Sequence, residues 1–87
     1  GLDAIRRAVE IRETLAQDNF AAYGPDLAQS LNNLSVHLAE SGDRQGGLDA
    51  IRRAVEIIKP FAKPGTRYAD WQAVMLRGLQ ALEADAE

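Results

Sequence analysis

Gly47-Leu48-Asp49-Ala50-Ile51-Arg52-Arg53-Ala54-Val55-Glu56-Ile57 restates, letter for letter, the opening of the chain, Gly1-Leu2-Asp3-Ala4-Ile5-Arg6-Arg7-Ala8-Val9-Glu10-Ile11. An identical block returning 46 positions later marks a repeat architecture, in which each unit buries its apolar face against the next copy. Leu2, Ile5, Ala8 and Val9, and again Leu48, Ile51, Ala54 and Val55, fall at helical spacing. Asp3 with Arg7 and Arg6 with Glu10 are i,i+4 pairs of opposite charge, repeated as Asp49 with Arg53 and Arg52 with Glu56. Such pairs contribute about 0.2–0.5 kcal/mol each and mark a solvated face. Each copy is read as an amphipathic helix, the first over 2–17 and the second over 44–59 with Asp43 as its N-cap. The chain opens inside the block, as a slice of a longer array would.

Between the copies, Asp18-Asn19-Phe20-Ala21-Ala22-Tyr23-Gly24 loses the apolar period and reads as a loop. Pro25 suits a first helical turn, where its missing N–H is not needed, so a second helix is expected over 25–41. Leu27, Leu31, Leu34 and Leu38 form one ridge on it that needs a partner helix, and Gly42 can close it in the left-handed conformation. Pro60 and Pro64-Gly65 end the third helix, and Thr66 caps a fourth over 67–84. Its stripe is Ala69, Ala73, Leu76, Leu79 and Leu82, with Trp71, Val74 and Met75 beside it. The fourth helix aligns with the second at an offset of 45: Tyr23 with Tyr68, Ala28 with Ala73, Leu31 with Leu76 and Leu34 with Leu79. The match stops where Leu38 falls on Glu83, a charge that suits a terminal helix whose far side meets water. The expected fold is all-α: a single domain over 1–87 of four antiparallel helices, paired and stacked as a fragment of a solenoid.

Composition narrows the function classes. A net charge of -3 does not supply the basic excess that tracking phosphates requires, so nucleic acid is not an expected partner. With no cysteine, neither a disulfide framework nor a thiolate metal site can form. No run reaches the length a membrane span requires, and a soluble, cytoplasmic protein is expected.

Taken in order, Leu31-Asn32-Asn33-Leu34, Leu38, Gly42-Asp43, Gly47-Leu48, Ile51 and Ala54-Val55-Glu56-Ile57 resemble the tetratricopeptide repeat family at its large, small and turn positions. The segment Pro25-Asp26-Leu27-Ala28-Gln29-Ser30-Leu31-Asn32-Asn33-Leu34 is most similar to the longer-period variant of kinesin light chains and many bacterial signalling and ATPase-linked proteins. The offset of 46 exceeds the ordinary period of about 34 residues, with the extra length in Asp18 to Gly24. The resemblance implies a right-handed superhelix whose first helices line a concave groove. By that resemblance Gln29, Asn32, Asn33 and Val36 face the groove, with Arg77 at the position equivalent to Asn32 in the last helix, and the amides hold the backbone or terminal carboxylate of an extended peptide.

The residues taken alone leave the amide pair open. Asn32 and Asn33 have no propensity advantage in a helix, and bonds to neighbouring helices or to water are the competing explanation of their presence. His37, the one histidine, has no cysteine to act with and no spaced Ser, Asp or Glu motif. The glycines form no phosphate-cradling string. No catalytic residue, metal or cofactor is expected, and no enzyme. A protein- or peptide-binding scaffold within a larger protein is the leading expectation. The second is self-association, forming a homo-oligomer through Leu2, Ile5, Ala8 and Val9, the stripe of a first helix without a preceding partner.

Overall fold

Asn19 alone turns the chain through its first corner. The structure, a computed structural model, describes residues 1–85, and α1 (Leu2–Asp18) passes through this single extended residue into α2 (Phe20–Glu40). The Asn19 side chain accepts a hydrogen bond from the Ala22 N–H at 3.2 Å, satisfying one of the free donors at the start of α2. Then follow α3 (Arg44–Ile58), a 3₁₀ turn (Lys59–Phe61) and α4 (Arg67–Asp85). Among the described residues there is no strand. Three expected terminal signals hold in detail. Asp43 accepts from the Gly46 N–H at 2.9 Å, Thr66 Oγ1 accepts from the Ala69 N–H at 3.4 Å, and Gly42 closes α2 at φ +91°.

The second helix begins at Phe20 and not at Pro25, so the stretch read as a loop is its first turns. Pro25 sits inside the helix and leaves one helical donor missing, a cost that burial offsets. Gly24 and Pro25 are both buried, and Gly24 admits the Phe61 ring: a Cβ there would stand 3.0 Å from Phe61 carbons. Phe61 in turn lies 5.3 Å from the Phe20 ring and 6.1 Å from Tyr68, which stacks edge-on against Trp71 at 5.1 Å. The ladder joins the start of α2 to the start of α4, and these aromatic contacts favour the helical path over a free loop.

Helix α2 is the centre of the molecule, with α1 and α3 packed on it; α4 lies on α3 and touches only the edge of α2. The leucine ridge is buried throughout, joined by Val9 and Ala16 from α1, Ala50, Ile51, Ala54 and Ile58 from α3, and Met75 from α4. The last helix is rotated from expectation. Met75 is its core residue, with Tyr68, Trp71, Leu79 and Leu82 half-buried beside it, while Ala73 and Leu76 face outward. With α3 as its main neighbour, α4 buries one narrow stripe, whereas α2 is covered on two sides.

The repeated charges also act differently from expectation. Arg53 pairs with Glu13 of α1, and Arg52 with Glu83 of α4 at 3.7 Å, so both reach across helices and not along their own. Both arginines are half exposed, and each pair contributes at most about 1 kcal/mol.

Gly78 stands where α4 crosses α3: a Cβ there would meet Ile51 at 3.7 Å, an ordinary contact distance. Gly78→Ala should therefore stabilise the fold by about 0.5–1 kcal/mol, since alanine restricts the unfolded chain and fits the folded one. A thermal melt should show a rise of about 2–8 °C in Tm; a fall would place α4 closer to α3 than described.

Candidate functional site

Four of the five residues assigned to a groove share one stripe of α2. Gln29, Asn32, Asn33 and Val36 recur at i, i+3, i+4 and i+7, which places them above one another on a helix. The leucine ridge occupies the buried side, so this stripe faces outward: Gln29 and Asn32 are half-buried, Asn33 is exposed and Val36 is 49% exposed.

Two clefts flank the stripe. On the α1 side Gln29 and Asn33 join Asp26, Ser30, Ile5 and Arg12 around a space of about 200 Å³. On the α4 side Asn32 and Val36 join Ser35, Ala39, Gly78 and Leu82 around about 230 Å³. The first mixes polar and apolar groups and carries both Arg12 and Asp26; the second is lined mostly by apolar groups. Ser35 is buried and donates its hydroxyl to the Asn32 carbonyl at 2.7 Å, so the second cleft has no unpaired hydroxyl in its floor.

Arg77 borders neither cleft and is exposed on α4, since that helix turns Gly78 and Leu82 toward α2. The arginine beside the amides is Arg12 of α1, which the sequence reading passed over. A signal for it existed. The two copies of the block diverge at the first position beyond it, where Arg12 corresponds to Ile58, and Ile58 is fully buried. A half-buried charge at a position that the other copy fills with isoleucine is a departure from packing, and such departures mark candidate sites.

The stripe assigned to self-association is placed elsewhere. Leu2, Ile5 and Ala8 are half-buried and Val9 is 6% exposed. Ile5 and Ala8 line the cleft against α2, and Val9 lies against Leu31, Leu34 and Leu38 of α2 and Ala50 of α3. The partial burial has a simple cause: α1 lays this stripe on α2. The apolar side chains that α1 leaves open are Ala4, Ile11 at 53% and Leu15 at 37% exposure.

His37 is exposed on α2, and Trp71 is half-buried in the aromatic ladder. Among the described residues no three His, Cys, Asp or Glu side chains gather to hold a metal ion, and no buried side-chain polar atom lacks a hydrogen-bond partner. No helix there is long and apolar enough to cross a membrane. What the α2 stripe and the cleft beside it offer chemically is three amides, each with donors and an acceptor, the Arg12 guanidinium that only donates and the Asp26 carboxylate that only accepts. Compared with known proteins, the chain matches no family profile, no curated protein and no solved structure.

Proposed function

We propose that this chain is a repeat scaffold of the tetratricopeptide type and that it holds an extended peptide of a partner protein along the outer stripe of α2. The observation that carries the reading is the alignment of Gln29, Asn32, Asn33 and Val36 between two clefts, with Arg12 at one edge. A side-chain amide matches both the N–H and the C=O of a peptide group, so a row of amides suits a backbone better than it suits any one side chain. From residue 29 to residue 36 the stripe runs about 10 Å, the length of about three extended residues. The apolar cleft at Val36 and Leu82 then takes a side chain, and Arg12 with Asp26 in the other cleft supplies a donor and an acceptor for a polar group of the peptide, with no net charge preference.

The repeat character draws support from the two copies of the block. Ile5 packs toward Asn33 of α2, and Ile51 toward Gly78 of α4, which is Asn33 at the offset of 45. Each copy thus turns the same isoleucine toward the corresponding position of the helix that follows it, closely in the second copy and across an open cleft in the first. A stack of such pairs is the solenoid that the sequence suggests.

A peptide-array screen supplies the test. For any peptide selected by the parent chain, Asn32→Ala combined with Arg12→Ala should weaken binding about tenfold or more, the loss of roughly 1.4 kcal/mol. Arg77→Ala should leave it unchanged. Undiminished affinity in the double variant, with helicity intact by circular dichroism, would reject the stripe as the binding surface.

A further inference from the structure

Helices α1 and α3 both lie on α2 but are not a packed pair, which leaves a groove between them with α2 as its floor. The floor is the leucine ridge, so the groove opens on the side of α2 opposite its amide stripe. Arg53 of α3 reaches across to Glu13 of α1, and this ion pair borders two clefts. One, of about 290 Å³, holds Arg6, Asp43 and Asp49 over Leu31, Leu34 and Leu38. The other, of about 410 Å³, is the more apolar: Ala16, Leu27, Ile57 and the Phe20 ring line it, together with Gln17 and Glu56.

Charge decides what the larger cleft takes. Spacing makes Glu56 the i,i+4 partner of Arg52, but Arg52 turns to Glu83 of α4, and among the described residues no cation pairs with Glu56. Arg53, the one cation that lines this cleft, is bound to Glu13. Glu56 is therefore a surplus carboxylate beside an apolar wall, and the sign continues along the groove, where Asp43 and Asp49 outnumber Arg6. The acidic lining is particular to this junction: the repeated block keeps Glu56 as Glu10, whereas Glu13 and Gln17 become Lys59 and Lys63 at the offset of 46. An apolar wall, an aromatic ring 45% exposed and a surplus carboxylate together match one kind of side chain. An arginine lays its stem on apolar surface, stacks its guanidinium on a ring and donates paired bonds to a carboxylate. We propose that the α1–α3 groove is a binding surface separate from the α2 stripe, and that it holds an arginine side chain of a partner protein, the guanidinium at Glu56 and Phe20 and the stem along Ala16, Leu27 and Ile57. The site does not depend on the α2 stripe holding a peptide.

A nuclear magnetic resonance titration of the isotope-labelled 87-residue chain tests it. The probe is a short blocked alanine peptide with one central arginine, and its control carries citrulline there, which keeps the shape and loses the charge. Over about 0.1–10 mM, the range that one anchored side chain reaches, the arginine peptide should shift the amides of Ala16, Gln17, Phe20 and Ile57 along one saturating curve. Citrulline should weaken binding about tenfold or more. Glu56→Gln, at an exposed site, should weaken the arginine peptide about tenfold as well. Glu10→Gln, the same change in the first copy, should not, because Glu10 borders neither cleft of the groove. Asn32→Ala with Arg12→Ala should also leave the affinity as it is, which keeps this result apart from the fate of the α2 stripe. The citrulline comparison uses the parent chain alone and decides the matter if Glu56→Gln loses helicity. A curve that does not saturate by about 10 mM, equal binding of the two peptides, or equal losses in Glu10→Gln and Glu56→Gln would each overturn the proposal.

Discussion

Ile51→Ala should cost about 2–5 kcal/mol, the range for truncating a fully buried isoleucine, while Ile5→Ala, the same change inside the same repeated sequence, should cost about 1 kcal/mol. The contrast rests on cover and not on sequence. Ile51 is 0% exposed: α2 lies on one side of it, and on the other its Cδ1 stands 3.7 Å from the point a Gly78 Cβ would occupy. Ile5 is half-buried against α2, with its cleft open to solvent. A domain of this size holds only about 4–13 kcal/mol in total, so Ile51→Ala removes a large share and Ile5→Ala a small one. Urea titrations followed by circular dichroism would separate the two midpoints. Equal losses would mean that the two copies are equally covered in solution, which would contradict the order of the helices described above.

How much of this was legible in the sequence varied with how local the deciding physics was. The repeated block announced two equivalent helices, and Leu27, Leu31, Leu34 and Leu38 announced the helix between them, because periodicity reports burial directly. Asp43, Thr66 and Gly42 were readable as terminal residues because a cap is a contact within one turn. The start of α2 was not. Gly24-Pro25 argues locally for a break, and what overrides it is Phe61, distant in sequence, packed into the space that Gly24 leaves. Asn19 was the available clue, an N-cap residue ahead of Phe20-Ala21-Ala22, outweighed by the proline. The rotation of α4 was illegible for a different reason. Alanine, leucine and valine occur on several of its sides, so its own pattern does not choose a face, and its alignment with α2 carried over a face that α3 buries in one helix and solvent meets in the other. Among the site residues Gln29, Asn32, Asn33 and Val36 were assigned through the family resemblance, and their spacing adds only that they share one face of α2. Arg12 required comparing the copies one position past their identity, where a charge stands against the buried Ile58.

The second large effect is expected at Gly47, and it too is set by a difference between identical residues. Gly47 is buried at the crossing of α3 over α2, where a Cβ would stand 3.0 Å from the Ser35 carbonyl oxygen and 3.5 Å from the Ala39 backbone nitrogen. The neighbours are Ser35 and Ala39 in the last turns of α2, two of the three contacts being backbone atoms held in helical hydrogen bonds, so they yield less readily than a flexible side chain would. Gly47→Val must therefore lift α3 from α2 along the largest interface in the molecule, loosening Ile51 and Ala54 one and two turns further along. Overpacking of this kind costs about 1–3 kcal/mol and sometimes more, and valine returns only a few tenths through its better helix propensity. At Gly1, the same letter in the first copy, nothing stands within 4 Å of the added Cβ, and the same substitution should change stability by less than about 0.5 kcal/mol. Measured side by side by thermal denaturation, Gly47→Val should lower Tm by about 4–8 °C for each kcal/mol lost, while Gly1→Val leaves it in place. A Gly47→Val chain as stable as the parent would show that α2 and α3 do not approach closely there. The close crossing is also what sets the distance between α2 and α4, because α4 rests on α3. The same variant should therefore weaken any peptide held against Val36 and Leu82, even though Gly47 lines neither cleft.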